Sequence, residues 1–271
     1  MPELPEVQTV VNHLKKNILG KNILDINPLW HKTLENFHPT KFFNINSSKK
    51  IINVTRRAKF IIIHFSESIL AIHLRMTGKL YLINDKVIPK HSRVIFELDS
   101  GEKFIFEDIR KFGRIYLYNN LDYINKNHGP EPLEKYFTTD WLIKNLKNKK
   151  RMIKGLLLDQ SFLAGLGNIY VDESLWASGI HPTSISNKIP NNKINKLHKS
   201  IQIILKRAIE YQGTTIINFS YLNNKPGNYT SKLNVFGKDK KPCMKCRNQI
   251  EKFKISGRGT YICNYCQKIF R

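Results

Sequence analysis

"IINVTRRAKFIIIHFSESILAIHLRMTG" (residues 51–78) contains the pattern that decides the fold. Residues 51–57, 59–65 and 68–74 are short runs rich in β-branched and aromatic side chains. Ser-Glu-Ser breaks the last two apart, so they read as consecutive strands. The pattern continues outward in "RVIFELD" (93–99), "EKFIFED" (102–108) and "RIYLYN" (114–119), with Asp-Ser-Gly turning the chain at 99–101. Six short strands within 22–118 predict an antiparallel sandwich or barrel.

Upstream, the chain begins "MPELPEVQT". Val7, Val10, Val11, Leu14 and Ile18 recur at helical spacing, Pro5 is tolerated in a first turn, and Gly20 suits a C-terminal cap. Glu3 falls at or just outside the helix start, where a carboxylate meets unpaired backbone N–H groups.

Downstream, "HGPEPLE" (128–134) reads as a linker and helices follow it. Residues 140–146 form a short one. A longer one carries the stripe Ile194, Leu197, Ile201, Ile204, Leu205, Ala208, Ile209 and ends by Gly213. Between them "LAGLGNIYVDESLW" (163–176) is a glycine-rich turn entering a helix. Residues 214–235, including "NNKPGNY", are too rich in breakers for a regular element.

Lys and Arg number 45 against 21 acids, a net charge of +24. A field of that sign favours polyanions, nucleic acid first and anionic membrane second. Lysine-rich, Asn- and Ile-rich usage is also what an A·T-rich genome produces without selection for binding. Apolar residues make up 41%, enough for real cores, yet no run approaches the roughly 18 residues of a membrane span. The N-terminus lacks the apolar stretch of a signal peptide, so a cytoplasmic protein is expected.

The only cysteines, Cys243, Cys246, Cys263 and Cys266, form C-x2-C-x16-C-x2-C. Two such knuckles close one tetrahedral zinc site, and four thiolates leave no open position for catalysis. A disulfide reading needs an oxidising compartment, which nothing in the chain supports. About 40 residues bury little core, so metal supplies the folding energy of this segment. Residues 232–271 carry eleven Lys or Arg and two acids, a composition suited to a phosphate backbone.

"GLG" (165–167) is not a nucleotide fingerprint. Tyr170 stands where a third small residue is required, and no Gly-Lys-Ser/Thr follows. What remains is two helices joined by a tight turn. Asn168 there either contacts phosphate at a helix N-terminus or simply caps the helix.

"PELPE" (2–6), "RRAKF" (56–60), "HLRMTG" (73–78), "DIRKFG" (108–113), "GLGNIY" (165–170) and the terminal cysteine pairs occur in one order. Together they resemble the bacterial formamidopyrimidine-DNA glycosylase family over essentially the whole chain. The resemblance implies an α+β multidomain fold. An N-terminal helix and antiparallel β-sandwich occupy 1–130. A helix–two-turns–helix domain with a lesion-recognition loop occupies 131–235, and a zinc-finger β-hairpin 236–271. DNA is then expected between the two halves.

The family's chemistry implies a bifunctional enzyme of base-excision repair. It removes oxidised purines (formamidopyrimidines, 8-oxoguanine) and then cuts the strand by β,δ-elimination. The damaged base must leave the stack for its C1′ to be reached. By the resemblance the nucleophile is the amine of Pro2 once Met1 is removed. An α-amine, with a reference pKa of about 7.7–8.0, is far more often neutral than a lysine. Glu3 corresponds to the general acid and base, Lys59 to a proton carrier in β-elimination, and Arg258 to the residue of δ-elimination and phosphate contact. Glu6 corresponds to a residue beside the lesion pocket.

Met76, Arg110 and Phe112 match the three residues that fill the gap left by the flipped base and face its orphaned partner. His91, Asn168 and Lys149 or Lys150 match further DNA contacts. Taken alone, Met76 and Phe112 read as sheet core, Lys59 and Arg258 as surface charge. Ile109, Lys111 and Arg75 depart from the family pattern beside these positions. The expected partner is damaged double-stranded DNA, the expected cofactor one structural Zn2+, and the expected state a monomer with no membrane association, at the bacterial nucleoid. Two alternatives compete. An endonuclease VIII-like glycosylase for oxidised pyrimidines would usually carry glycine where Leu4 stands. A non-enzymatic zinc-containing DNA-binding protein would have no use for carboxylates at the DNA face.

Overall fold

Helix α1 (Leu4–Ile18) runs where the apolar spacing placed it. Its stripe Val7, Val10, Val11, Leu14 and Ile18 is at most 4% exposed. In the computed structural model, which describes residues 1–84, 87–214 and 227–271, that stripe packs on β2 (Asn53–Arg57) and β3 (Phe60–His64). Truncating one such core leucine costs about 2–5 kcal/mol.

Among the described residues eight strands form two four-stranded sheets, all pairs antiparallel. One sheet has the order β2, β3, β4 (Ile69–His73), β8 (Arg114–Tyr118). The other runs β1 (Ile23–Pro28), β6 (Ser92–Leu98), β7 (Lys103–Asp108), β5 (Gly78–Ile83). Alternation assigns the faces. On β3, Ile61 and Ile63 join a core shared with Val94, Phe96, Phe104 and Phe106 of the second sheet. Ile62 points the other way, into a smaller cluster with Ile69, Ala71 and Ile124. Ile124 belongs to α3 (Asp122–Asn127), which covers that outer face.

Strands β1 and β5 were not evident in the sequence. β1 reads "ILDINP", with Asp, Asn and Pro against β-propensity, and it forms only because β6 offers a pairing edge. Its place at the sheet edge is what tolerates Pro28. Helix α2 (Pro39–Ile45) likewise has no periodic signature in the sequence, being about two turns anchored by buried Phe42.

Two compact units emerge: Met1–Asn125 with Gln212–Asn228, and Lys126–Tyr211 with Tyr229–Arg271. In the second, α4 (Thr139–Lys147), α5 (Ile153–Leu158), α6 (Asn168–Ser178) and α7 (Asn191–Glu210) surround a core. Helix α6 is its axis, with Ile169 through Trp176 all buried. Two polar members of that run are held internally. Glu173 accepts backbone N–H bonds from Asn234, Val235 and Phe236, and Asp172 pairs with a lysine described below. Strands β9 (Glu251–Ile255) and β10 (Arg258–Ile262) form the terminal hairpin, turning through Ser256 and Gly257, both with positive φ. The sequence expectation of a lesion-recognition loop falls largely on residues 215–226, which lie outside the described residues.

Candidate active site and nucleic-acid interface

The start of α1 is built around two carboxylates. Glu3 is the N-cap in extended geometry, and Glu3 and Glu6 form a reciprocal capping box. Glu6 Oε2 accepts the Glu3 N–H at 2.9 Å. Its other oxygen accepts the Thr214 N–H at 2.8 Å and the Thr214 hydroxyl at 3.0 Å. Gly213 makes this approach possible: its φ is +78°, and a Cβ there would sit 2.8 Å from Glu6 Oε1. Glu3 and Glu6 are each 3% exposed, and Pro2 is buried beside them. The acids are therefore fixed in place by the fold, and Glu6 serves as a clasp on Thr214.

Lys59 lies in the two-residue turn between β2 and β3, following Ala58 in left-handed conformation. It is 5% exposed, unlike a solvated surface lysine. Arg56 fixes that turn relative to α1. Its Nε donates to Gln8 Oε1 at 3.0 Å and its Nη1 to the Ala58 carbonyl at 2.9 Å. The hairpin that carries Lys59 is thus tied to the helix that carries Glu3.

Met76, Arg110 and Phe112 are not core residues. Met76 and Phe112 are 40% and 48% exposed, and the Arg110 guanidinium lies 4.6 Å from the Phe112 ring centroid. His91 precedes β6 and is half-buried, and its carbonyl accepts the Asp108 N–H. Lys111, with φ +60°, places its ammonium 4.1 Å from the Trp30 ring centroid.

In the second unit, Asn168 is the first residue of α6, and the N-cap itself is Gly167. The capping alternative for Asn168 therefore does not hold. Its Nδ2 donates to the Gly259 carbonyl at 2.8 Å, beside Arg258, while Oδ1 has no protein partner. Arg258 is exposed and shares an open pocket of about 530 Å³ with Arg151, Met152 and Asp159. Lys149 and Lys150 are exposed just before Arg151, which is bonded to Asp159 at 2.8 Å.

Lys154 carries no distinguishing mark in the sequence. Its Nζ donates to Asp172 Oδ1 at 2.6 Å and to Thr260 Oγ1 at 2.7 Å, while Asp172 Oδ2 accepts the Tyr261 N–H at 3.1 Å. Burial pushes the Asp172 carboxyl up to about 6, against the pull of the Lys154 ammonium. In "NKKRMIK" Lys154 is one cation among many; only burial sets it apart.

The four cysteines converge, with all sulfur atoms within 4.8 Å of one another. Cys243 and Cys266 are 3.9 Å apart and Cys246 and Cys263 3.4 Å, near the roughly 3.8 Å edge that Zn–S bonds of about 2.3 Å imply for a tetrahedron. Trp176 Nε1–H points at Cys243 Sγ from 3.4 Å, and the Lys245 N–H from 3.5 Å. Such donors orient metal thiolates. The site fits one structural zinc, held by Cys243, Cys246, Cys263 and Cys266. Among the described residues no helix is long and apolar enough to cross a membrane.

Three domain families match in the same order. These are the formamidopyrimidine-DNA glycosylase N-terminal domain over residues 1–115, that enzyme's H2TH domain over 128–220, and a zinc finger found in FPG and IleRS over 240–269. The formamidopyrimidine-DNA glycosylase of Lactobacillus helveticus is 42% identical, with both chains fully covered. That of Bacillus licheniformis is 39% identical over 99% of this chain and 100% of its own. A Lactococcus lactis FPG mutant, solved with Fapy-dG containing DNA, superposes with a TM-score of 0.92 at 35% identity, covering 98% of this chain and 100% of that one. A MutM structure with carbocyclic 8-oxo-G containing DNA superposes with a TM-score of 0.91 at 36% identity, again over 98% and 100%. Full-length relatives, three domain matches in order and a cysteine cluster of the right shape agree, and the chain belongs to the formamidopyrimidine-DNA glycosylase family.

Proposed function

We propose that the chain is a base-excision DNA repair enzyme that removes oxidised purines, formamidopyrimidines and 8-oxoguanine, and then cleaves the strand as an abasic-site lyase. The observation that carries this reading is the pair of buried carboxylates at the start of α1 in a chain of net charge +24. Acids repel phosphate, so their retention beside Pro2 is explained by chemistry rather than by binding.

With Met1 removed, the Pro2 amine attacks C1′ of the flipped nucleotide. The N-glycosidic bond breaks, the base leaves with that electron pair and takes up a proton, and the sugar ring opens to an iminium linked to Pro2. Glu3 supplies and accepts protons around ring opening. The iminium acidifies C2′–H, Lys59 carries that proton, and the 3′ phosphate leaves. Arg258 contacts the 5′ phosphate that departs in the second elimination. Met76, Arg110 and Phe112 fill the gap in the duplex, while His91, Asn168 and Lys149 or Lys150 hold the backbone. Zinc, when bound, contributes only shape, holding the β9–β10 hairpin that presents Arg258. The functional division is 1–130 for catalysis, 131–235 for the helical domain and 236–271 for the zinc finger. The enzyme acts as a monomer on double-stranded DNA at the bacterial nucleoid.

Borohydride reduction tests the mechanism. The processed protein is expected to crosslink to a duplex carrying 8-oxoguanine opposite cytosine. Absence of any crosslink with processed protein sinks the covalent mechanism.

A further inference from the structure

One buried carboxylate in the sandwich unit touches every segment that carries a proposed DNA contact there. Asp108 closes β7 and is 1% exposed. Its Oδ1 accepts the Thr77 hydroxyl, one residue from Met76. The same oxygen and the Thr77 hydroxyl share the Arg110 N–H, at 3.2 and 3.1 Å. Its Oδ2 accepts the Gly113 N–H at 2.7 Å, next to Phe112. Its own N–H donates to the His91 carbonyl at 3.0 Å, and its carbonyl accepts Arg93 Nε at 2.7 Å.

The two turns are not otherwise relaxed. Arg75 and Lys111 both hold positive φ, +52° and +60°, a conformation uncommon for residues with a side chain. Gly113 leaves no room for adjustment, since a Cβ there would lie 2.4 Å from Phe106 Cζ and 3.2 Å from Asp108 Oδ2. A carboxylate, accepting only, is suited to gather three donors that approach from different directions. An asparagine in its place turns one acceptor into a donor and opposes the N–H it faces.

We propose that Asp108, relayed through Thr77, is a positioning residue that locks the Met76 turn and the Arg110–Phe112 turn into one unit, so that the three side chains enter the duplex gap together. This rests on the reading of Met76, Arg110 and Phe112 as gap-filling residues. The residue acts on insertion, the step before chemistry, and leaves the reacting groups at Pro2 and Glu3 untouched.

The test compares two substrates with zinc-loaded, full-length protein. A duplex with 8-oxoguanine opposite cytosine requires insertion; a single strand carrying a preformed abasic site has no partner base and no gap. Asp108→Asn is expected to slow single-turnover excision from the duplex about tenfold, the scale of one charge-assisted hydrogen bond, with cleavage of the single strand held within about twofold. 2-Aminopurine beside the lesion reports insertion directly and should rise more slowly by the same factor. Thr77→Val should reproduce the defect and Thr77→Ser restore normal insertion; this pair carries the test if Asp108→Asn fails to fold. Parallel loss on both substrates, or an unchanged aminopurine trace in Asp108→Asn and Thr77→Val, overturns the proposal. Phe112→Ala separates the levels. If it leaves duplex excision intact, the gap-filling reading fails and the proposal with it. If it slows excision while Asp108→Asn does not, only the proposal fails.

Discussion

Lys154 Nζ lies 2.6 Å from Asp172 Oδ1, and neither side chain has any exposed surface. The pair joins α5 to α6, and through Thr260 and Tyr261 it reaches β10, the strand that begins at Arg258. Removing one partner leaves an uncompensated buried charge. Asp172→Ala is therefore expected to cost about 3–5 kcal/mol in a denaturant titration, while the double change Lys154→Met with Asp172→Leu recovers most of it. If the single variant is as stable as the parent, the pair is not ionised in the way its geometry implies.

Zinc content should be one ion per chain by elemental analysis. Chelation should unfold the hairpin segment, because five buried members of its small core, Trp176, Val235, Cys243, Ile250 and Cys263, cannot sustain it alone. Trp176, donating to Cys243 Sγ, provides the optical signal. A metal-free protein whose tryptophan emission and DNA affinity match those of the loaded form would contradict the structural role.

Stability should fall with acidity. Burial holds His64 below the ordinary histidine range, and burial with nearby Lys16 does the same for His13. At these two sites the folded chain then binds fewer protons than the unfolded chain, whose histidines titrate at about 6.5; the raised Asp172 carboxyl opposes this in part. The stabilisation is full above that value and is lost as pH falls through the lower folded values. Melting temperature should drop between about pH 7.5 and pH 5, and His64→Gln should flatten the curve.

Binding should weaken steeply with salt through counterion release. Alanine at Arg258 or Lys149 is expected to reduce the slope of log K against log salt by about 0.9 for each phosphate that the side chain neutralises. Substituting exposed Lys126, outside the proposed interface, is the control and should leave the slope alone.

The legibility of this protein in its sequence was uneven for physical reasons. Helix α1 and the strands of the "IINVTRR…AIHL" block were legible because an apolar face repeats with the period of the element that buries it. The zinc site was legible because coordination needs particular ligands at particular spacing. Strand β1 was not, since its side chains argue against a strand and only pairing with β6 makes it one.

At the candidate site, Pro2, Glu3 and Arg258 could be named from short motifs in order. Their surroundings could not. Asp108 opens the "DIRKFG" block, but nothing in that block shows which donors its carboxylate gathers, and Lys154 sits in a basic run. What the sequence by itself determined was the inventory: periodic faces, metal ligands and motif residues, all local features. Only the tertiary structure decided which charges are buried. Burial turned Lys59 from a surface lysine into a held one and made Asp108 and Glu6 the organisers of turns distant in sequence. Desolvation depends on what packs from elsewhere in the chain, and no local pattern encodes that.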